Sequence, residues 1–577
     1  MTFKRILCLL AASAMVVSIA GCSGGESNAS SAAPSSQAPA SSAADSSSAP
    51  AESSAPAAAT TEEAVGFEAV TVPTLEESLQ KYPVEGGGKV SMWVSFNGTS
   101  AKYYQSLAED ISVKRYVKDT GIEIEFVHPA SGQEKENFNL LVVSDSLPDI
   151  LVNGSTQYAG GSAAAVADGV FADLTDLVSQ YAPDYNYFLE QNDLFWRLAT
   201  TDEGKVYDLY SYKDIQAPYY YRPQLRKDML DEFGMETPKT LAQLEEFFAK
   251  VKEKYPDVAP YTPDKTGIDN LLLGTFNAGT GDNGKKYFVV DGKIHNSYLE
   301  PGFKDFLTTM SDWYAKGYIN KDFTTITNKE QEFCAGRTAF LYGNTDTIYV
   351  LANEMGVAFD SIPFPRVNEG DEFHGDVYYF PQNGTPTAIS AKSKNKELAL
   401  QFMNYSFTKQ GSAVINYGDP DISWSWSEEV YPEYQSTIPI YNDYALNCPD
   451  YPLSDIEYTV RLHTCWAKFR YGDDVMMIRN VLDPDCWAYR AKWGDDPTSD
   501  GAYAMPTLNF MPEIATEIGT LQTNVDTYAD EMILKYITGV EPLSSYDSFV
   551  AEINNLGMPR LIEIYQTAYD ALLNKSR

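Results

Sequence analysis

Apolar and polar positions alternate along this chain at changing periods. The first apolar stretch runs from Ile6 to Ala20 behind Lys4 and Arg5 and reaches Ile19-Ala20-Gly21-Cys22. At about 15 residues it is short for a bilayer span of roughly 20. A positive start, an apolar middle and small residues against a cysteine form a cleaved signal peptide with a lipobox, Cys22 being the lipidated residue. From Ser23 to Ala64 nearly every position is Ser, Ala, Pro or Gly. Such a tract builds no core and reads as a tether, spanning about 35 Å on average.

Apolar periodicity begins after Gly86-Gly87-Gly88. Lys89–Phe96, Ile122–Val127 and Asp149–Val152 read as strands, separated by helical patterns around Tyr103–Lys118 and Glu134–Val143. Strands alternating with helices predict parallel β-α-β units and an α/β fold. Asn97-Gly98-Thr99 and Asn153-Gly154-Ser155 follow the first and third strands, where open parallel sheets bind ligands, and are candidate pocket loops; plain turn chemistry is the competing reading. At Thr240 the chain carries a helix start: Thr240 caps, Gln243 reaches back, and Leu241, Leu244, Phe248 and Val251 share a face. Val525, Tyr528, Met532 and Tyr536 recur at helical spacing up to Gly539, and Phe549–Leu573 repeats the pattern. The chain is therefore expected to close with a helical section.

Without signal and tether about 500 residues remain, more than one core usually serves, so at least two lobes are expected. The 577-residue chain has 43 basic and 80 acidic residues, a formal net charge of -37. That field disfavours nucleic acid and strongly anionic ligands and suits a neutral one. Cys334, Cys448, Cys465 and Cys486 allow two disulfides in three pairings or four free thiols, and no bridge is assigned.

Catalytic signatures are thin. The four histidines, His128, His295, His374 and His463, form no metalloprotease pair, and no serine lies in a nucleophile elbow. Gly279-Thr280-Gly281-Asp282-Asn283-Gly284 matches a dinucleotide fingerprint by letter. A strand-like Tyr287–Val290 follows it instead of a helix, so it reads as a turn. Paired carboxylates of the glycosidase kind stay open in so acidic a chain.

The order of several segments resembles the family 1 extracellular solute-binding proteins, in their large Gram-positive lipoprotein branch. These segments are Ala172–Asp184, Arg226–Gly234 with Pro238–Thr240, Trp313–Ile319, Phe333–Phe340, Lys396–Tyr405, Ile415–Gly418 and Lys535–Gly539 followed by Ala568-Tyr569. The resemblance implies a two-lobed periplasmic-binding-protein-like fold of type II. It implies a monomer on the extracellular face of the cell membrane that captures a ligand, expected to be a neutral oligosaccharide, for the permease subunits of an ABC importer. It also implies interlobe crossings, placed near Tyr207–Tyr221, Leu341–Asn344 and Phe407–Gly411. The expected division is signal peptide 1–21, tether 22–64, lobe 1 at 65–212 and 341–408, and lobe 2 at 213–340 and 409–577. The alternatives are a surface-tethered glycoside hydrolase or lyase and a ligand sensor for a membrane kinase.

Sugar recognition needs aromatic faces and planar polar groups. Tyr342 and Asn344 sit where the resemblance places a cleft wall. Trp424 and Trp426 lie in a polar, Pro-interrupted stretch that reads as a cleft loop or a packed interlobe wedge. With Asn97 and Asn153 they complete the expected ligand-binding set. Trp93 reads as core; Trp466 and Trp487 are not placed. The chain departs from the family pattern at Asp419-Pro420-Asp421, where a Glu-Gly pair is common, and at Asp257–Tyr261, which lacks a calcium loop's alternating ligands. No cofactor and no metal are expected.

Overall fold

A computed structural model describes residues 77–213, 221–267, 270–280, 286–371, 373, 380–428, 437–451, 455–462, 466–470, 489, 503–508 and 510–577. Cys22, His374, His463, Cys465, Cys486, Trp487 and Gly281–Gly284 lie outside the described residues. In chain order the strands are β1 (Gly88–Trp93), β2 (Ile122–Val127), β3 (Ile150–Val152), β4 (Leu209–Lys213), β5 (Tyr221–Arg226), β6 (Ala259–Tyr261) and β7 (Tyr287–Val290). They continue with β8 (Lys293–Asn296), β9 (Thr338–Asn344), β10 (Phe359–Ser361), β11 (Gln382–Ile389), β12 (Trp424–Trp426), β13 (Pro439–Tyr441) and β14 (Phe469–Arg470).

Two main sheets organise the fold. One has six strands in the order β14-β4-β11-β3-β1-β2; the other has four, β10-β5-β9-β6. In the first, β1 runs parallel to β2 and β3, while β11 is antiparallel to β3 and β4. This is the mixed α/β architecture expected from the alternating strands and helices. The first expected helix starts later than its pattern, at Ile111, because buried Asp110 caps it by accepting from Ser112 N at 2.7 Å. The capping box at Thr240 forms as expected and heads Leu241–Lys254, which buries Leu244, Phe247, Phe248 and Val251. The helical C-terminal section consists of Pro512–Thr538, Tyr546–Asn555 and Met558–Asn574. Gly539, at φ 73°, stops the first of these, and Gly557, at φ 117°, divides the other two.

Each main sheet has its own core. The first gathers side chains from Val90 to Tyr212 and again from Ile389 to Phe469. The second gathers Leu225 to Phe373 and again Val525 to Leu561. This corrects the expected division of the chain. No crossing falls at Leu341–Asn344, because β9 is one continuous strand paired with β5 on one side and β6 on the other. None falls at Phe407–Gly411 either: Phe407 and the flanking helices Lys396–Tyr405 and Lys409–Tyr417 all bury side chains in the first core. Residues 341–373 thus belong with the second sheet, Tyr342, Ile362, Phe364 and Phe373 in its main core and Leu341, Ile348, Tyr349, Ala352 and Phe359 in a smaller cluster, and the described residues of 389–469 belong with the first. The chain does pass from the first sheet to the second between Lys213 and Tyr221.

Candidate functional site

A cavity of about 550 Å³ opens between strand ends of the first sheet and the C-terminal helical section, whose helices bury side chains in the second core. Its first wall follows from how β3 ends. Asn153 turns the chain in the left-handed region at φ 62°, its N–H donating to the Pro386 carbonyl at 2.6 Å. Gly154 follows against Leu151, Phe171 and Phe138; a Cβ there would lie 3.1–3.3 Å from their side chains, so a larger residue requires these neighbours to give by a few tenths of an ångström. The turn places Ser155 and Thr156 beyond the carboxyl end of a parallel strand, the position from which open α/β sheets reach ligands. Ser155, Thr156 and Ser162 line the cavity, as do Tyr207, Asp208 and Tyr210 at the entry to β4.

Asp208 is the electrostatic centre of this wall. It is 2% exposed, and its two carboxylate oxygens accept from Ser155 Oγ at 2.5 Å and from Ser162 Oγ. Burial pushes the carboxyl above its ordinary range, while the two hydroxyls pull it back. Burial also raises the Tyr210 phenol well above its usual value, and the Asp208 charge adds to that shift. Both tyrosines at the cavity are accordingly neutral hydroxyl donors at physiological pH.

The opposite wall comes from Thr507, Leu508, Phe510 and Met511, ahead of the long helix, and from Ala568 and Leu572 of the last one. The two walls are tied together. Lys575 Nζ donates to the carbonyls of Arg197 and Thr200, each at 2.7 Å, and Arg197 Nη1 donates to the Leu572 carbonyl at 3.3 Å. Burial lowers the Lys575 ammonium to about 8. The cavity thus offers aromatic rings, hydroxyls, one buried carboxylate and the Gln382 amide, a composition suited to hydrogen-bonding a polar, ring-bearing solute. Among the described residues no cluster of three or more His, Cys, Asp or Glu side chains is placed to hold a metal ion.

None of the six residues expected to bind ligand lines this cavity. Asn153 comes closest, through its bond to the cavity residue Pro386. Asn97 spends its side-chain oxygen on Thr99 N at 2.7 Å, and Asn344 caps the helix Thr345–Met355 by accepting from Asp346 N and Thr347 N. Tyr342 is buried in the second core beside Tyr221 and Phe364. Trp424 is fully buried in the first core, its Nε1 donating to the Gly418 carbonyl at 2.8 Å. Trp426, half-buried, meets Trp424 edge to face at 5.1 Å and carries Lys409 Nζ 4.8 Å above its ring.

Asp419 and Asp421 are structural. Arg115 Nη1 donates to both, at 3.0 and 2.9 Å, fastening their loop to the first helix. Trp93 is core, with Nε1 donating to Asn137 Oδ1. Trp466 packs in the first core, and Cys334 and Cys448 are free thiols. Ser155 lines the cavity from the Asn153-Gly154-Ser155 loop expected to face a pocket. The residues missed by sequence reasoning, Ser162, Tyr207, Asp208, Tyr210 and Phe510, gave one local signal, an acidic residue inside the strand-like run Val206–Tyr212.

Residues 112–417 match the family model described as bacterial extracellular solute-binding protein. The chain belongs to that family. This solute-binding protein is 23% identical over 507 residues to the polygalacturonan/rhamnogalacturonan-binding protein YtcQ of Bacillus subtilis, covering 84% of this chain and 93% of that protein. A carbohydrate ABC transporter substrate-binding protein of Streptococcus pneumoniae serotype 4 is 28% identical over 252 residues, 41% of this chain and 46% of its own length. The crystal structure of an extracellular solute-binding protein from Bifidobacterium longum subsp. infantis shares the fold, with a TM-score of 0.69 at 16% identity, covering 85% of this chain and 99% of that one. The two-lobed type II architecture expected of this solute-binding protein is the architecture of these neighbours.

Proposed function

We propose that this protein captures an oligosaccharide in the cavity between its two cores and delivers it to an ABC importer, held at the extracellular face of the membrane by lipid on Cys22. The make-up of the cavity supports this function. Two tyrosines, several hydroxyls and a buried carboxylate come from the first sheet and its flanking turns and a phenylalanine from the C-terminal section, so a ligand that touches both walls favours the closed arrangement of the lobes by its additional contacts. Sugars present ring faces and hydroxyl rims that match these groups. The named relatives bind polygalacturonan or rhamnogalacturonan and serve carbohydrate ABC transport.

A thermal-shift screen of mono- and oligosaccharides tests the ligand class. Binding of the native state alone by an oligosaccharide raises the unfolding temperature with concentration. A flat response to every sugar, with a hit among peptides, overturns it. Palmitate labelling tests the anchor: the wild-type chain takes label and partitions with membranes, and Cys22→Ser releases unlabelled protein to the medium.

A further inference from the structure

A second cavity, of about 450 Å³, lies on the far side of the segment that walls the first. Thr507, Leu508 and Phe510 line both. Behind them the floor is aromatic. Tyr287 and Tyr565 stack with centroids 4.4 Å apart, and Phe510 meets Tyr565 edge to face at 5.3 Å. Along the side run Gln522 and Asp526, one helical turn apart on Pro512–Thr538 and therefore on one face. Gln522 Oε1 accepts from the Tyr287 hydroxyl at 2.9 Å, and Asp526 Oδ1 accepts from Lys286 Nζ at 2.9 Å. These bonds fix both side chains and leave the Gln522 amide N–H groups and Asp526 Oδ2 without a protein partner among the described residues.

We infer that this second cavity is an additional sugar subsite, continuous with the first around the edge of Phe510, that takes further units of a longer oligosaccharide. The inference rests on the oligosaccharide reading of the first cavity. A fixed carboxylate acceptor and a fixed planar amide donor beside stacked aromatic rings can bind adjacent hydroxyls of one pyranose while its apolar face lies against the rings. Lys286, paired with Asp526 and 3.7 Å from Asp530, is neutralised by its neighbours, so the subsite does not require an anionic sugar.

Calorimetric titration of the full chain with a xylo-oligosaccharide series and an oligogalacturonide series, each from the disaccharide upward, tests this. Affinity is expected to rise with chain length. Gln522→Ala and Asp526→Asn are each expected to remove about fivefold to tenfold of that rise for the longer members and leave the shortest binder unchanged. Because Asp526→Asn loosens the Lys286 pair and Gln522→Ala removes the acceptor of the Tyr287 hydroxyl, the unfolding temperature of both variants serves as the control. Length-independent affinity, or variants that bind every length as the wild type does, overturns the subsite while the first cavity stands. Failure of the wild type to bind any sugar overturns both.

Discussion

Ser155 Oγ donates to Asp208 Oδ1 at 2.5 Å, joining the end of β3 to the start of β4 across 53 positions of sequence. Two strand ends of the first sheet are thereby locked into one cavity wall. Ser155→Ala leaves a buried carboxylate oxygen short of a donor and is expected to cost about 1–3 kcal/mol of stability. Urea unfolding measures the loss. Asp208, whose carboxyl is raised by burial, favours the fold most when protonated, so the variant's deficit is expected to shrink as pH falls.

Lys575 links the last helix to the stretch Arg197–Thr200. Its ammonium, lowered from 10.5 to about 8, binds its proton less tightly in the folded than in the unfolded chain. Between those values the unfolded state holds more protons, so this residue's contribution to stability rises with pH. Lys575→Met leaves two carbonyls unpaired, costing about 1–3 kcal/mol, and is expected to lose that upward slope between pH 8 and pH 10. Chemical denaturation of both proteins across the window is the check.

Asp110 shows the opposite sign. Burial raises its carboxyl from 3.8 to about 7, so the folded state holds the proton more tightly. Its contribution is full below pH 3.8 and is lost as pH rises towards 7. Asparagine caps a helix as well as aspartate. Asp110→Asn is therefore expected to be more stable than the wild type at pH 8, by on the order of 1–3 kcal/mol, and the advantage is expected to fade at pH 5. Melting temperatures at the two pH values decide it.

Trp424 and Phe510 are expected to fail differently. Trp424→Ala empties a fully buried site and costs about 3–5 kcal/mol of stability. Phe510→Ala removes a cavity wall, lowering oligosaccharide affinity severalfold with a smaller change in melting temperature. Paired melting and calorimetry on the two variants separate core from site.

Features written over a few adjacent positions were legible. Thr240 and Gln243 stand three residues apart and announce their helix, and Gly539 stops the long one. The parallel units around β1, β2 and β3 followed from hydrophobic alternation. Long-range pairing was not legible. Nothing at Leu341 indicates that β9 continues through it between β5 and β6, so a crossing was expected there. Trp424 sits among polar neighbours, yet it is enclosed in the first core, with Tyr417 beside its ring and Gly418 bonded to its indole. The cavity escaped for the same reason: Asp208 acquires its role only through Ser155 and Ser162, which are remote in sequence.

Capture of an oligosaccharide in the first cavity is decided by calorimetric titration of the wild type and Tyr210→Ala with the oligosaccharide that most raises the melting temperature. The wild type is expected to bind saturably and Tyr210→Ala to lose about tenfold or more in affinity at an unchanged fold. Equal affinity in the two proteins would contradict it.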